Sequence, residues 1–560
     1  MEPEFRAKLQ ATPSEPAEAY VWFYVDEKEA PEKEWLIGEP SSGAATASDR
    51  EASTRAGAVS IAAKLAAVPM VELSGNSNPD VMYGVPVVRI RATLAAFDAI
   101  GTWPEVWRID PVPDHYAEFS DDYYYTTLEN WPDQLGGYDG TGVTVATYEG
   151  DIPDSWANLP GRLPGSCQDS TGPTSTAKCH CPTLNHWNSH PRAMMGVVRR
   201  NTGILGMANG ATTIMANHTG GCTTHGNDNY ASALNWATAN GATVISHSAG
   251  TGASGLQASA HDRFFDYKAS VSPYPFIAGA SANAPLGYVQ NRMRNGTCVG
   301  GSIETAGADR SQVVMASTSW WNGAEGLEVP HVVALAEHVD TAGFALNDVS
   351  VTGGSSAATA EVAGIAASMQ ELNGTLKNWP EVMVPGLLVS ANEDVDGVVL
   401  NLDDSVDDRD GAGLVNALQA WAVLQSSSKV DGGNVAAQLG HDYGSITSSS
   451  TPAQTYYSEV YNAQVPAGGQ LRVASLLQAR PTCPQNPGSF DCSADPYPLH
   501  ALILYDGALL AGYSVGSGSN YQYIAKTNTS GATKTYTVRI YLADWGGLSA
   551  TTWGLAWSSL

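Results

Sequence analysis

The apolar positions of the chain change rhythm twice, near residues 118 and 430. Before the first change, Tyr20-Val21-Trp22-Phe23-Tyr24-Val25 reads as a strand, and residues 48–67 carry Ala, Ile and Leu at helical spacing. Val85-Pro86-Val87-Val88-Arg89-Ile90 reads as a second strand, its proline near the start, where a missing N–H matters least. A helix over Ala92–Ile100 and a strand over Glu105–Ile109 complete a strand–helix–strand–helix–strand order. Residues 1–118 are therefore predicted to form a small α+β domain. Asp110-Pro111-Val112-Pro113-Asp114 and the acidic, Tyr-rich stretch Asp121–Tyr125 predict an exposed linker after it.

Residues 119–430 alternate short apolar runs with helical segments, the pattern of an α/β sheet domain. Predicted strands cover Val143–Tyr148, Ala242–Ser246 and Pro275–Gly279; predicted helices cover Tyr230–Ala239, Ser356–Leu372 and Gly413–Leu424. Residues 431–560 change to short alternating strands separated by Gly/Ser/Asn turns, among them Gln470–Ala474, His500–Tyr505, Thr535–Tyr541 and Thr552–Trp557. That texture predicts an all-β sandwich or jelly roll.

Composition adds bounds on partners. The 560 residues hold 56 Asp and Glu against 28 Lys and Arg, a formal charge of −28. This balance argues against nucleic acid and anionic membranes as partners and favours solubility and tolerance of acid. No run approaches the ~18 apolar residues of a membrane span. The charged start Met1–Arg6 does not read as a signal peptide. Cys483 and Cys492, nine apart in a Pro/Gly-rich loop, can close a small disulfide, and sparse loop cysteines suggest an oxidising compartment. Cys179-His180-Cys181 with His186 fits no common zinc spacing, so no metal site is assigned.

Four short stretches carry candidate chemistry. Gly353-Gly354-Ser355-Ser356 runs into small residues that read as a helix start. Glycines let the backbone turn sharply, and a helix N-terminus points free N–H groups at a developing negative oxygen. Tight packing of small residues would explain the same stretch equally well. Glu149 ends the apolar run Val143–Tyr148, where α/β sheets hold working groups, with Asp151 and Asp154 nearby. His190 opens the segment His190-Pro191-Arg192-Ala193-Met194-Met195-Gly196. Asn283 follows the strand that ends at Gly279 and can donate its amide to an oxyanion.

Taken in order, acid, histidine, asparagine and serine make the chain resemble the subtilisin-like serine proteases. His190–Gly196 resembles a degraded His-Gly-Thr-His-Val-Ala-Gly, and Gly203–Ala208 resembles Gly-Val-x-Gly-Val-Ala. Gly354–Gly364 resembles Gly-Thr-Ser-Met-Ala-x-Pro-His-Val-Ala-Gly, with Ala360 and Glu361 where the family has proline and histidine. Ile245–Gly250 resembles the family's substrate-pairing edge strand, and Gly411–Ala417 its terminal helix motif. The resemblance implies a mostly parallel sheet with helices on both faces and a Glu149/His190/Ser356 triad, with glutamate where the family has aspartate. It also implies an oxyanion hole at Asn283 and substrate binding by Ser248, Ala249 and Gly250. Residues 1–118 then look like an inhibitory propeptide, and residues 431–560 like a pre-peptidase C-terminal sandwich. The expected protein is a secreted, monomeric serine endopeptidase zymogen acting on proteins or peptides. It needs no cofactor, and calcium is admitted as a structural ion. The rival expectation is a catalytically impaired homologue that works as a secreted binding protein. A lipase reading is disfavoured, because the histidine precedes the serine.

Overall fold

In the computed structural model the chain divides into two compact units, Met1–Tyr116 and Ala117–Leu560. The structure describes residues 6, 9–10, 13, 16–23, 64–65, 68, 71–73, 80–82, 85–103, 106–111, 138–149, 152–153, 187–199, 201–202, 204–218, 229–248, 260–283, 291–304, 313–316, 318, 320–322, 328–336, 339–342, 349–391, 395, 400, 409–432, 436–457, 459–483, 492, 496–516 and 518–559.

The first unit is built on an antiparallel sheet. Its strands are β1 (Ala17–Phe23), β2 (Val71–Leu73), β3 (Asp80–Met82), β4 (Val85–Ala92) and β5 (Val106–Pro111). They run β2-β4-β1-β5, with β3 also on β4. Helix α1 (Leu94–Ile100) buries Ala96, Phe97 and Ile100. Of the helix expected over 48–67, only Lys64 and Leu65 fall among the described residues, and both are helical. Asp110 and Pro111, expected in a linker, instead end β5, where they pair with Tyr20 and Ala19.

The second unit opens on a seven-stranded sheet. Its strands are β6 (Thr144–Glu149), β7 (Thr212–Asn217), β8 (Val244–His247), β9 (Phe276–Ala280), β10 (Thr297–Glu304), β11 (Val313–Met315) and β12 (Val332–Leu335). Six of them run parallel in the order β7-β6-β8-β9-β10-β12, and β11 pairs antiparallel with β10. Helices cover both faces, as parallel sheets require. On one face Val145, Val244 and Phe276 share a core with α2 (Ser189–Arg199), α5 (Gly354–Leu372), α6 (Pro380–Ser390) and α7 (Ala417–Leu424). On the other, Tyr148, Ile214, Ile245 and Ile277 meet α3 (Asn229–Ala239) and α4 (Ala260–Ala269).

The C-terminal strands form two packed sheets. The inner sheet runs in the order Leu439–Thr447 (β13), Ala550–Ser559 (β20), Gln470–Leu477 (β15) and Tyr521–Thr527 (β18). The outer sheet runs Tyr461–Val465 (β14), Lys534–Asp544 (β19), Leu499–Asp506 (β16) and Leu509–Ser514 (β17), with two two-residue strands added. The inner sheet is buried on both sides. Leu471, Val473 and Leu477 face the outer sheet, while Ala474 and Leu476 join the core that holds the α2 and α5 side chains. A Cβ on Gly554 in β20 would lie 2.2 Å from the Glu381 carbonyl oxygen of α6, so only glycine permits this approach. Gly554→Ala should therefore cost about 1–3 kcal/mol, read as a lowered denaturation midpoint; an unchanged midpoint would refute the close contact. Cys483 and Cys492 form the disulfide that their spacing suggested.

Candidate active site

Three parallel strands deliver their carboxyl ends to one edge of the sheet. In the order β6, β8, β9, those ends lead to Glu149, Ser248 and Asn283. This is where open α/β sheets place ligands and reacting groups. Strand β8 lies between β6 and β9, paired on both sides. It is therefore a central strand, a correction to the edge strand expected over Ile245–Gly250, and only residues beyond its end are open to pairing. Ser248 is the first of them; Ala249 and Gly250 lie outside the described residues.

Helices bring the remaining groups. His190 is the second residue of α2, and Met194, Val197 and Val198 of that helix share a core with Ala357–Ala367 of α5. Its Nδ1 lies 3.2 Å from Glu149 Oε2; the imidazole is 40% exposed and the carboxylate 2%. A buried acid is thus set against a half-exposed histidine.

Ser355 and Ser356 occupy the first turn of α5, at the positive end of the helix dipole. Ser356 Oγ donates to the Ser248 carbonyl at 3.2 Å, and Ser248 Oγ donates back to the Ser356 carbonyl at 3.3 Å. Ser355 has a different task. Its N–H and its hydroxyl both donate to Asn283 Oδ1, at 2.8 and 3.0 Å, which leaves the Asn283 NH₂ as the other, donating end of the amide. Gly354 makes room for that amide: its φ is +80°, and a Cβ there would lie 2.6 Å from Asn283 Nδ2. In the sequence the two serines are told apart only by the motif resemblance, which sets Ser355 at the family's threonine and Ser356 at its serine. Asp151 and Asp154, the other candidate acids, lie outside the described residues.

The far end of α5 is moored as firmly. Gln370 exchanges two hydrogen bonds with Thr243, just before β8, at 2.6 and 3.1 Å. Glu371 accepts from the Gly140 and Thr141 N–H groups ahead of β6, at 2.7 and 3.2 Å. Midway, Glu361 is buried and accepts from the Leu335 N–H at 3.2 Å. Burial pushes its carboxyl up to about 8.

Behind Glu149 lies a buried aromatic and imidazole layer. The His218 N–H donates to the Glu149 carbonyl at 2.9 Å. Tyr148 packs on the His218 and His247 rings, with centroids 4.6 and 4.9 Å away. Burial lowers His218 to about 3 and His261 to about 4, and holds His247 well below its ordinary value. His331, His441 and His500 are likewise lowered by burial, to about 3, 4 and 3. Each of these six is neutral in the fold and takes up a proton more readily when unfolded. Their stabilisation is complete above about pH 6.5 and is lost as pH falls toward 3. Glu361 and Glu381, pushed up to about 8 and 7 by burial, act oppositely, losing stability as pH rises from 4.5. Six histidines outweigh four carboxyls, these two together with Glu371 and Asp442, which burial also raises, so the acid tolerance expected from net charge is opposed. Melting should drop by roughly 5–10 °C between pH 7 and 5. A flat or rising melting temperature on acidification would show that the histidines do not govern stability.

Among the described residues no group of three or more His, Cys, Asp or Glu is arranged to hold a metal ion, and no helix is long and apolar enough to cross a membrane.

No family model and no curated protein matches the chain. Among solved structures, it is similar to the prenylagaramide maturation protease PagA: 17% identity, TM-score 0.37, over 52% of this chain and 98% of that one. It is also similar to fervidolysin from Fervidobacterium pennivorans, a keratinolytic enzyme related to subtilisin: 13% identity, TM-score 0.40, over 94% of this chain and 69% of that one.

Proposed function

We propose that the chain is a subtilisin-like serine endopeptidase that cuts proteins or peptides through an acyl-enzyme. The observation that carries this reading is the 3.2 Å contact between a buried carboxylate and a half-exposed imidazole, at the sheet edge that also receives Ser356 and Asn283. Glu149 holds the proton on Nδ1 of His190 and stabilises the imidazolium that forms. In the resting arrangement the Ser356 hydroxyl is held by the Ser248 carbonyl. The reaction begins when it turns to Nε2 of His190, which takes its proton as Oγ attacks the peptide carbonyl. The Asn283 NH₂ and the Ser356 N–H stabilise the oxyanion, each donor worth about 3 kcal/mol. His190 then protonates the leaving amine, and water, deprotonated by His190, releases the acyl group.

A fluorophosphonate probe tests this directly, because it labels only an activated serine. Labelling at Ser356 is expected. A folded protein that stays unlabelled after cleavage near residues 115–125 and removal of the first unit would favour the rival reading, a secreted binding protein on a disabled peptidase fold.

The compact first unit is read as the inhibitory propeptide of a secreted zymogen. Cleavage is expected near residues 115–125, and the 1–118 fragment should inhibit the remainder in trans. An inert, folded fragment would count against the zymogen.

A further inference from the structure

Four of the large apolar side chains left exposed lie within seven residues: Leu509 at 74%, Leu510 at 59%, Tyr513 at 59% and Val515 at 45%. They belong to β17 and the residue just past it. That strand ends the outer sheet, pairing with β16 on one side and with no strand on the other among the described residues. A bulge aims Leu510 outward, while Leu509, opposite Asp506 at the hairpin end, falls on the other face. Leu504 pairs with Gly512 and Tyr505 with Leu510, so Ala511 is skipped. Leu510 thereby stays on the same face as Tyr505, Ile503 and Tyr513 instead of turning into the sandwich.

Open edges in monomers are normally guarded by lysine, proline or inward-pointing charge. Gly507-Ala508-Leu509-Leu510-Ala511-Gly512-Tyr513-Ser514-Val515 contains none of these, in a chain that otherwise carries 84 charged residues. Asp506, at the hairpin end, is neutralised by its ion pair with Lys534.

We propose that β17 pairs antiparallel with β17 of a second copy about a two-fold axis, joining two outer sheets into one. Antiparallel pairing of a strand with itself is self-complementary. With Leu510 opposite Tyr513 of the other copy, Ala511 falls opposite Gly512, so bulk meets bulk and the backbones close between. A partner lacking this pattern would satisfy the edge but leave Leu510 in water. The four side chains expose on the order of 400 Å² per copy. Edge pairing covers the strand backbones and the flanks of Leu510 and Tyr513, short of the ~1,000 Å² that a stable specific interface needs. The pair is therefore weak and concentration-dependent. Each copy carries −28, so salt screening strengthens it. The monomer expected from the sequence is then the dilute, low-salt state. None of this depends on the reading of the active site.

Sedimentation of the full chain tests it. A monomer–dimer equilibrium in the micromolar range is expected, at least threefold tighter at high salt. Leu510→Glu and Tyr513→Glu should each weaken it at least tenfold with unchanged melting. Exchange of the Leu509–Ser514 amides should slow about tenfold on dimerisation, a readout that needs no substitution. A monomer at all concentrations in high salt overturns the proposal. So does a dimer that persists in both variants or leaves those amides unprotected. Amides protected only when an unfolded polypeptide is added would assign the edge to captured strands and overturn it equally.

Discussion

Ser356→Ala should reduce peptide turnover by about 10⁶, to the level left by binding and the oxyanion hole alone, and should abolish fluorophosphonate labelling. The tandem serine makes this a sharp test. Ser355 and Ser356 are both buried in the first turn of α5, yet their hydroxyls face different partners. Ser355 Oγ is bound to Asn283 and receives the Ala282 N–H at 3.3 Å, so it is committed to positioning the amide. Among the described residues Ser356 Oγ makes one hydrogen bond, which it donates to the Ser248 carbonyl, so that bond does not occupy the oxygen lone pairs. Ser355→Ala should therefore keep labelling and lose about ten- to a hundredfold in kcat, less than complete removal of an oxyanion donor. If Ser355→Ala abolished labelling and Ser356→Ala retained it, the nucleophile would be one residue earlier in the helix, and the roles given to Asn283 and Ser248 would fall with it.

Glu149→Gln should lower kcat by about 10⁴ with little change in KM. The amide matches the carboxylate in size, so α2 and β6 keep their places. What is lost is the charge under the imidazolium and the preference for the Nδ1–H tautomer. Because the carboxylate is buried, water cannot substitute for it. Glu149→Asp retains charge but withdraws it by about one C–C bond from a 3.2 Å contact, and should fall between wild type and the glutamine variant. Asp151→Asn is the control. A loss from Asp151→Asn as steep as that expected for Glu149→Gln, with Glu149→Gln near wild type, would transfer the acid role.

How much of this was legible in the chain depended on whether the determining contacts were local. Three of the six parallel strands, β6, β8 and β9, were readable because both of their faces are buried, so Val145, Ala146 and Tyr148 form one apolar run although they enter two different cores; β7, β10 and β12 were not. Helix α6 was missed. It carries Pro385 and Gly386 in its interior, which read as breakers, and it is buried on every side, so no polar face marks its period. Helix α7 begins at Ala417, later than expected, because the preceding Leu414 bridges to Val333 of β12 and holds the backbone extended. Glu149, His190, Asn283 and Ser356 stood out by residue type and order. The central place of β8 did not, because strand order is set by tertiary pairing. Nor did the task of Ser355, which follows from the +80° turn at Gly354. The continuity of the inner β-sheet with the helical core was likewise hidden. Leu471, Val473, Ala474 and Leu476 look like one hydrophobic strand whichever side each faces.

Helix α5, tied to the sheet at both ends, settles what kind of object the site is. Nineteen residues make a rod about 28 Å long. Its first turn is surveyed against Asn283, Ser248 and Ala336, and its last against Gly140 and Thr243. A rod located at two distant points cannot pivot about either. The Ser356 hydroxyl therefore inherits its coordinates from the sheet.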